Sequence, residues 1–85
     1  IRGNSISRIN IYPNPSLAQV YFKLNENIDN VVLNVVDQTG KLVYTESIES
    51  MRDYQLNCGA WESGSYFIYL KDSSGRVYQS KLIKL

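Results

Sequence analysis

Residues 30–43 read NVVLNVVDQTGKLV, and the parsing of this stretch decides the fold. Val31, Leu33 and Val35 recur every second residue, the period of a half-buried β-strand and not of a helix. Valine, stiff at χ1, suits a pleated surface. Asp37-Gln38-Thr39-Gly40 then interrupts the run. Aspartate can accept bonds from backbone a few residues on, and glycine can take positive φ, so the four residues predict a tight turn. Strand-like residues resume at Lys41, which makes the unit a hairpin. The same punctuation returns at Asp72-Ser73-Ser74-Gly75, again between strand-like runs.

The alternation extends in both directions. In residues 18–24, AQVYFKL, the even positions are apolar. In residues 65–70, Tyr66, Ile68 and Leu70 fall on one side, with Phe67 and Tyr69 on the other. Apolarity on both sides predicts a central strand or one with an aromatic outer face. Residues 25–30, NENIDN, read as a polar loop, and residues 58–64, CGAWESG, as a longer connection. About seven strands result, near 6–12, 18–24, 30–37, 41–48, 51–57, 65–71 and 76–85, with no helical period anywhere. Short strands at this spacing predict an all-β, Ig-like antiparallel β-sandwich. The Cys…Trp…Cys spacing of antibody domains is absent.

An earlier stretch, Ile11-Tyr12-Pro13-Asn14-Pro15-Ser16, makes a rigid corner. Pro13 and Pro15 fix φ near about −65° and remove two backbone donors, so a strand ladder cannot continue through them. Pro15 also pushes Asn14 toward extended geometry.

Composition narrows function. With 85 residues the chain holds one domain, and 44% apolar against 20% charged residues is a globular balance. Nine basic and eight acidic side chains are spread along it. That mixture lacks the basic stripe nucleic acid requires and the polybasic cluster an anionic membrane requires. No apolar run approaches the ~20 residues of a membrane span. The chain starts at Ile1 and not Met, which points to a piece of something longer.

Reactive groups are scarce. The chain has no histidine, the usual general base and a common metal ligand. Cys58 stands alone, so it cannot form an internal disulfide or a structural zinc site, and reads as a small buried or half-buried thiol. The acidic residues sit in turns or on alternating strand faces. No catalytic residue, metal ligand, cofactor or small-molecule substrate is expected. Seven tyrosines, two phenylalanines and Trp61 remain. Tyrosines on sheets cover core edges with their hydroxyls in water, or form a flat platform for sugar rings. Tyr21, Tyr69 and Tyr78 are the candidates for such a platform.

Four elements occur in order: Tyr12-Pro13-Asn14-Pro15-Ser16, the stretch Val36 to Val43 (VDQTGKLV), Gly64-Ser65-Tyr66-Phe67-Ile68, and Lys81-Leu82-Ile83-Lys84-Leu85. Together they resemble the type A C-terminal sorting domain of the type IX, or Por, secretion system of Bacteroidetes-type bacteria. The likeness runs from about Ile6 to Leu85. It departs from the family in ending Lys84-Leu85, where some members end in two basic residues.

The resemblance implies a seven-stranded Ig-like sorting domain over residues 6–85, with residues 1–5 a linker remnant. It implies a covalently linked N-terminal cargo, carried from the periplasm through the outer-membrane translocon to the cell surface or medium. A sortase-like surface protease would then remove the domain. Pro13, Asn14, Pro15, Asp37, Gly40, Gly64 and Tyr66 would be motif and turn positions. Lys81, Leu82, Ile83, Lys84 and Leu85 would be read by the translocon. As a terminal strand on a sheet edge, that tail is also suited to β-augmentation by a partner, or to an edge-strand dimer. A carbohydrate-binding or Ig-like accessory module of a surface enzyme, or a plain structural spacer, are the alternatives at this point.

Overall fold

The computed structural model describes residues 6–13 and 18–85. Residues 1–5, Asn14 and Pro15 lie outside the described residues. The chain is all-β, with strands β1 (Ile6–Arg8), β2 (Asn10–Tyr12), β3 (Gln19–Asp37), β4 (Leu42–Asn57), β5 (Gly64–Lys71) and β6 (Val77–Lys84). Strand order is β1-β6-β5-β3-β2, with β4 on β3. All pairings are antiparallel except β1 on β6.

The expected sandwich is observed, but its strands are divided differently. The breaks expected at residues 25–29 and 49–50 do not end the ladder. β3 pairs with β4 from Gln19↔Asn57 to Val36↔Leu42, with a register shift between Lys23↔Asp53 and Ile28↔Met51. Across that shift residues 24–27 stand opposite Arg52 alone, a bulge that bends the hairpin. Conversely, the expected strand over 6–12 divides at Ile9, whose side chain enters the core. Among the described residues six hydrogen-bonded strands replace the expected seven or so.

The bend doubles the hairpin over itself. In a straight strand, eight residues span ~26 Å at about 3.3 Å per residue. Yet the Tyr54 hydroxyl donates to Glu46 Oε1, eight positions back on the same strand. Tyr44, on the other side of Glu46, donates to the same oxygen at 2.6 Å. One layer therefore contains β1, β6, β5, the second half of β3 and the first half of β4. The other contains β2, the first half of β3 and the second half of β4.

Inward positions change parity at the bend. Val20, Phe22, Leu24 and Ile28 are buried at even numbers, then Val31, Leu33 and Val35 at odd ones. Asn30, between them, has φ 52°, a conformation asparagine tolerates better than most residues. The polar look of NENIDN thus hid a core residue, Ile28. Facing these from β5 and β6 are Tyr66, Ile68, Leu70, Tyr78 and Leu82. The Phe22 and Tyr54 rings meet edge to face at 5.9 Å. Cys58 is fully buried where β4 ends, its N–H donating to the Ala18 carbonyl at 2.7 Å.

Both predicted turns form, with the same bonding. Asp37 Oδ1 accepts from the Thr39 N–H, the Thr39 hydroxyl and the Lys41 N–H at 2.9, 2.6 and 3.0 Å. Asp72 Oδ1 accepts from the Ser74 N–H, the Ser74 hydroxyl and the Arg76 N–H at 3.0, 2.7 and 2.9 Å. Gly40 and Gly75 follow with φ 90° and 89°. Donors around each aspartate, the Thr39 or Ser74 hydroxyl foremost, hold its carboxyl below the usual range. Open space surrounds a Cβ built on Gly40, so the constraint there is the backbone alone. Gly40→Ala is expected to cost about 1–2 kcal/mol, a Tm fall of roughly 4–8 °C per kcal/mol. An unchanged Tm would show that the turn does not require positive φ.

Glu46 supplies a second test. The Tyr44 and then the Tyr54 hydroxyl bonds hold its carboxyl below its ordinary 4.5. Burial first, then Glu46, pushes the Tyr54 phenol up, so it remains a donor. The contribution of ionised Glu46 is present above pH 4.5 and is lost as pH falls through its lower folded value. Glu46→Gln is expected to cost about 1–2 kcal/mol at neutral pH, with the difference from wild type shrinking in acid as the folded carboxylate takes up its proton. Denaturant titration at neutral and at acid pH measures it, and an equal loss at both would contradict the charged clamp.

Candidate functional site

Most of the singled-out residues converge at one end of the larger layer. The register sets Asp37 opposite Tyr66, Tyr66 opposite Leu82, and Gly64 opposite Lys84. The turn with Gly40 caps the same end, and Gly64 opens β5 with φ 148°. Pro13 does not join them through the sheet: it follows β2 in the other layer, exposed, after a cis Tyr12–Pro13 peptide.

Tyr66 is the pivot of this end. Its ring is buried, and its hydroxyl donates to the Glu62 carbonyl at 2.6 Å, fastening the loop before β5. Burial, then the charges of Glu62 and Asp37, push its phenol up and keep it protonated. Trp61 packs on Tyr66 with ring centroids 5.0 Å apart, and Tyr44 lies 6.2 Å from Trp61. Trp61 and the Tyr44–Glu46–Tyr54 clamp were not singled out by sequence reasoning. Their only sequence signal was an aromatic count, and position in the count does not say which rings meet.

The terminal strand is divided between core and surface. Leu82 is 0% exposed and Lys84 only 7%, both on the inward side. The Lys84 ammonium reaches the Leu85 carbonyl oxygen at 2.9 Å, which partners a cation that burial would otherwise penalise. Lys81 is exposed, with Nζ 6.0 Å from the Phe67 ring centroid. Ile83 is half-buried, and Leu85 is 54% exposed. The tail is thus an integral strand through Lys84, with Lys81 and Ile83 on its outward side and Leu85 exposed just beyond its end. Among the described residues β1 flanks β6 only at Val77, Tyr78 and Gln79.

The three tyrosines proposed as a platform do not share a surface. Tyr78 is buried, with its hydroxyl 3.2 Å from the donating Arg76 guanidinium. Tyr21 lies on the smaller layer, its ring 5.8 Å from that of Tyr12. Tyr69 alone occupies the outer face of the larger layer, two residues from Phe67. Among the described residues no group of three or more Cys, Asp or Glu side chains is placed to hold a metal. No described helix is long and apolar enough to cross a membrane. The geometry at this end provides shape, a buried anchor and outward side chains.

These features divide one strand between core and surface. Leu82→Ala is expected to cost about 2–5 kcal/mol, a large fraction of the stability of so small a domain, whereas Lys81→Ala should change it by no more than about 0.5 kcal/mol. Thermal melts of the two variants decide it. Equal losses would mean that the two side chains are not partitioned as described.

Two comparisons bear on the site. The model of a family described as the secretion system C-terminal sorting domain matches residues 10–85. An ulvan lyase of Nonlabens ulvanivorans is 28% identical over 83 residues, covering 98% of this chain. The chain spans about 15% of that protein's length.

Proposed function

The chain belongs to the secretion system C-terminal sorting domain family, and from that premise we propose that its outward tail positions are what the type IX machinery reads. The domain is a type IX sorting signal, marking its protein for the cell surface or for secretion. The match over residues 10–85 carries this reading, because it takes in nearly the whole sandwich and not one motif. An address made of a folded body suits a chain whose side chains converge on packing.

Recognition falls to Lys81, Ile83 and Leu85. Lys81 and the half-buried Ile83 alternate with the inward Leu82 and Lys84 along β6, and the exposed Leu85 follows the strand's end. The turn of Asp37 and Gly40 and the Gly64–Tyr66 strand start fix where the tail emerges. Pro13, with Asn14 and Pro15, serves as a second, stiff landmark for the same machinery. The cargo is joined at the N-terminal side, and a sortase-like protease releases the domain at the surface. The domain itself carries out no catalysis.

Deleting residues 81–85 would test this poorly, since Leu82 leaves the core with them. A reporter fused ahead of the chain, expressed in a type IX-competent bacterium, should instead carry Lys81→Glu with Leu85→Asp. Surface delivery is expected to fall about tenfold, equivalent to ~1.4 kcal/mol of lost recognition, with folded reporter retained in the periplasm. Undiminished delivery by a variant whose melt matches wild type would remove the tail from the recognition surface.

A further inference from the structure

The outward face of the smaller layer has a chemistry unlike that of the tail. Alternation sets it: Val20, Phe22 and Leu56 are buried, so Gln19, Tyr21 and Lys23 on β3 and Asp53, Gln55 and Asn57 on β4 point outward. β2 adds Asn10 and Tyr12, with the half-buried Ile11 between them packed against the core. All of these outward residues are exposed. The register lines them up as Tyr12–Tyr21–Gln55, with Asn10–Lys23–Asp53 to one side and Gln19–Asn57 to the other.

Two aromatic rings therefore lie open among amides, Tyr12 at 50% exposure and Tyr21 at 39%. Their centroids are 5.8 Å apart and their planes 31° from parallel, so each ring restrains the other. The amides beside them are oriented too. The Tyr21 hydroxyl donates to Gln19 Oε1 at 3.2 Å, and Asn57 Oδ1 accepts from the Gly59 N–H at 2.9 Å. Charge on the face is balanced: Lys23 and Asp53 stand directly opposite each other, and the remaining outward residues of these rows are uncharged. None of the rows carries an outward aliphatic side chain.

We propose that this face binds a neutral oligosaccharide with flat sugar rings, of the β-1,4-glucan kind. A pyranose whose substituents are equatorial presents a face of weakly positive C–H groups, which the negative face of an aromatic ring attracts. Tyr12 and Tyr21 are the stacking surface. Hydroxyls around the sugar ring donate and accept, and the amide of Gln55, beside the rings, does both. A protein partner fits less well, since the centre of such an interface is apolar and this face has no aliphatic residue to supply it. Single-stranded nucleic acid also stacks on aromatic rings but needs a positive groove along its backbone, whereas Lys23 here is matched by Asp53. A glycan bearing carboxylates gains nothing from a balanced face. The site lies on the other layer from β6, so an occupied face leaves the tail uncovered.

The test is titration of the chain with cellotetraose, following backbone amides by NMR, with tetragalacturonate as the charged comparator. Saturable shifts centred on Tyr12, Tyr21 and Gln55 are expected, little changed by added salt because the ligand is uncharged. Tyr12→Ala and Tyr21→Ala should each weaken binding about tenfold, while Tyr12→Trp should retain it. Gln55→Ala, which leaves both rings in place, should weaken it several-fold. Tyr69→Ala, on the other layer, should bind like wild type. Because both tyrosines face outward, their alanine variants should melt close to wild type. Absence of saturable shifts, shifts centred on Tyr69 instead, unchanged affinity in both tyrosine variants, or tetragalacturonate binding as tight as that of cellotetraose would each overturn the proposal.

Discussion

The structure depends on the doubling-over of the β3–β4 hairpin. A hairpin this long, left straight, would present one apolar face to solvent along its length. Bent at the bulge, it lays its own two halves face to face, and the shared acceptor Glu46 fastens them. Burial supplies the driving force, at roughly 1.5–3 kcal/mol for each large apolar side chain removed from water. The clamp supplies direction, because a carboxylate accepting two phenol hydroxyls tolerates little displacement of either ring. β5, β6 and the short first strands then complete a core the hairpin has already half enclosed.

That arrangement explains how a terminal strand can be both structure and address. β6 is the last element to join the sheet in sequence order, yet Leu82 sits at the same depth as Val31, Val35 and Leu70. Alternation of side chains along a strand lets one short segment do two jobs. Its inward residues answer to the core, and under the proposed reading its outward ones are the set a partner would contact. A machine that reads the outward set therefore reads a folded domain, since the tail takes its alternation only from the sheet that holds it.

Much of this was legible in residue order. Strict alternation in NVVLNVVD and AQVYFKL gave strands, and the paired Asp-x-x-Gly turns gave two hairpins with the bonding expected of them. The tail and the ordered motifs led to the family. The bend was not legible, for a physical reason. A bulge keeps the backbone extended while changing which side chains face inward, so its residues look like a loop when judged by polarity alone. Ile28 and the positive φ of Asn30 mark it only once the parity of the flanking residues is compared. The Tyr44–Glu46–Tyr54 clamp was hidden similarly, being a contact across the layers between residues that a straight strand would keep far apart. Of the three tyrosines named as platform candidates, Tyr69 and Tyr21 are exposed in different layers, and Tyr78 is buried, which residue order alone did not distinguish.

The most direct measurement is the set of through-space proton contacts in solution between Tyr54 and the Tyr44–Glu46 segment. A doubled hairpin predicts cross-peaks linking the Tyr54 ring to Tyr44 and Glu46, beyond the in-register Phe22-to-Tyr54 contact that either shape would give. Cross-peaks confined to in-register neighbours of a straight ribbon, with none joining residues 46 and 54, would contradict the two-layer body on which the rest is built.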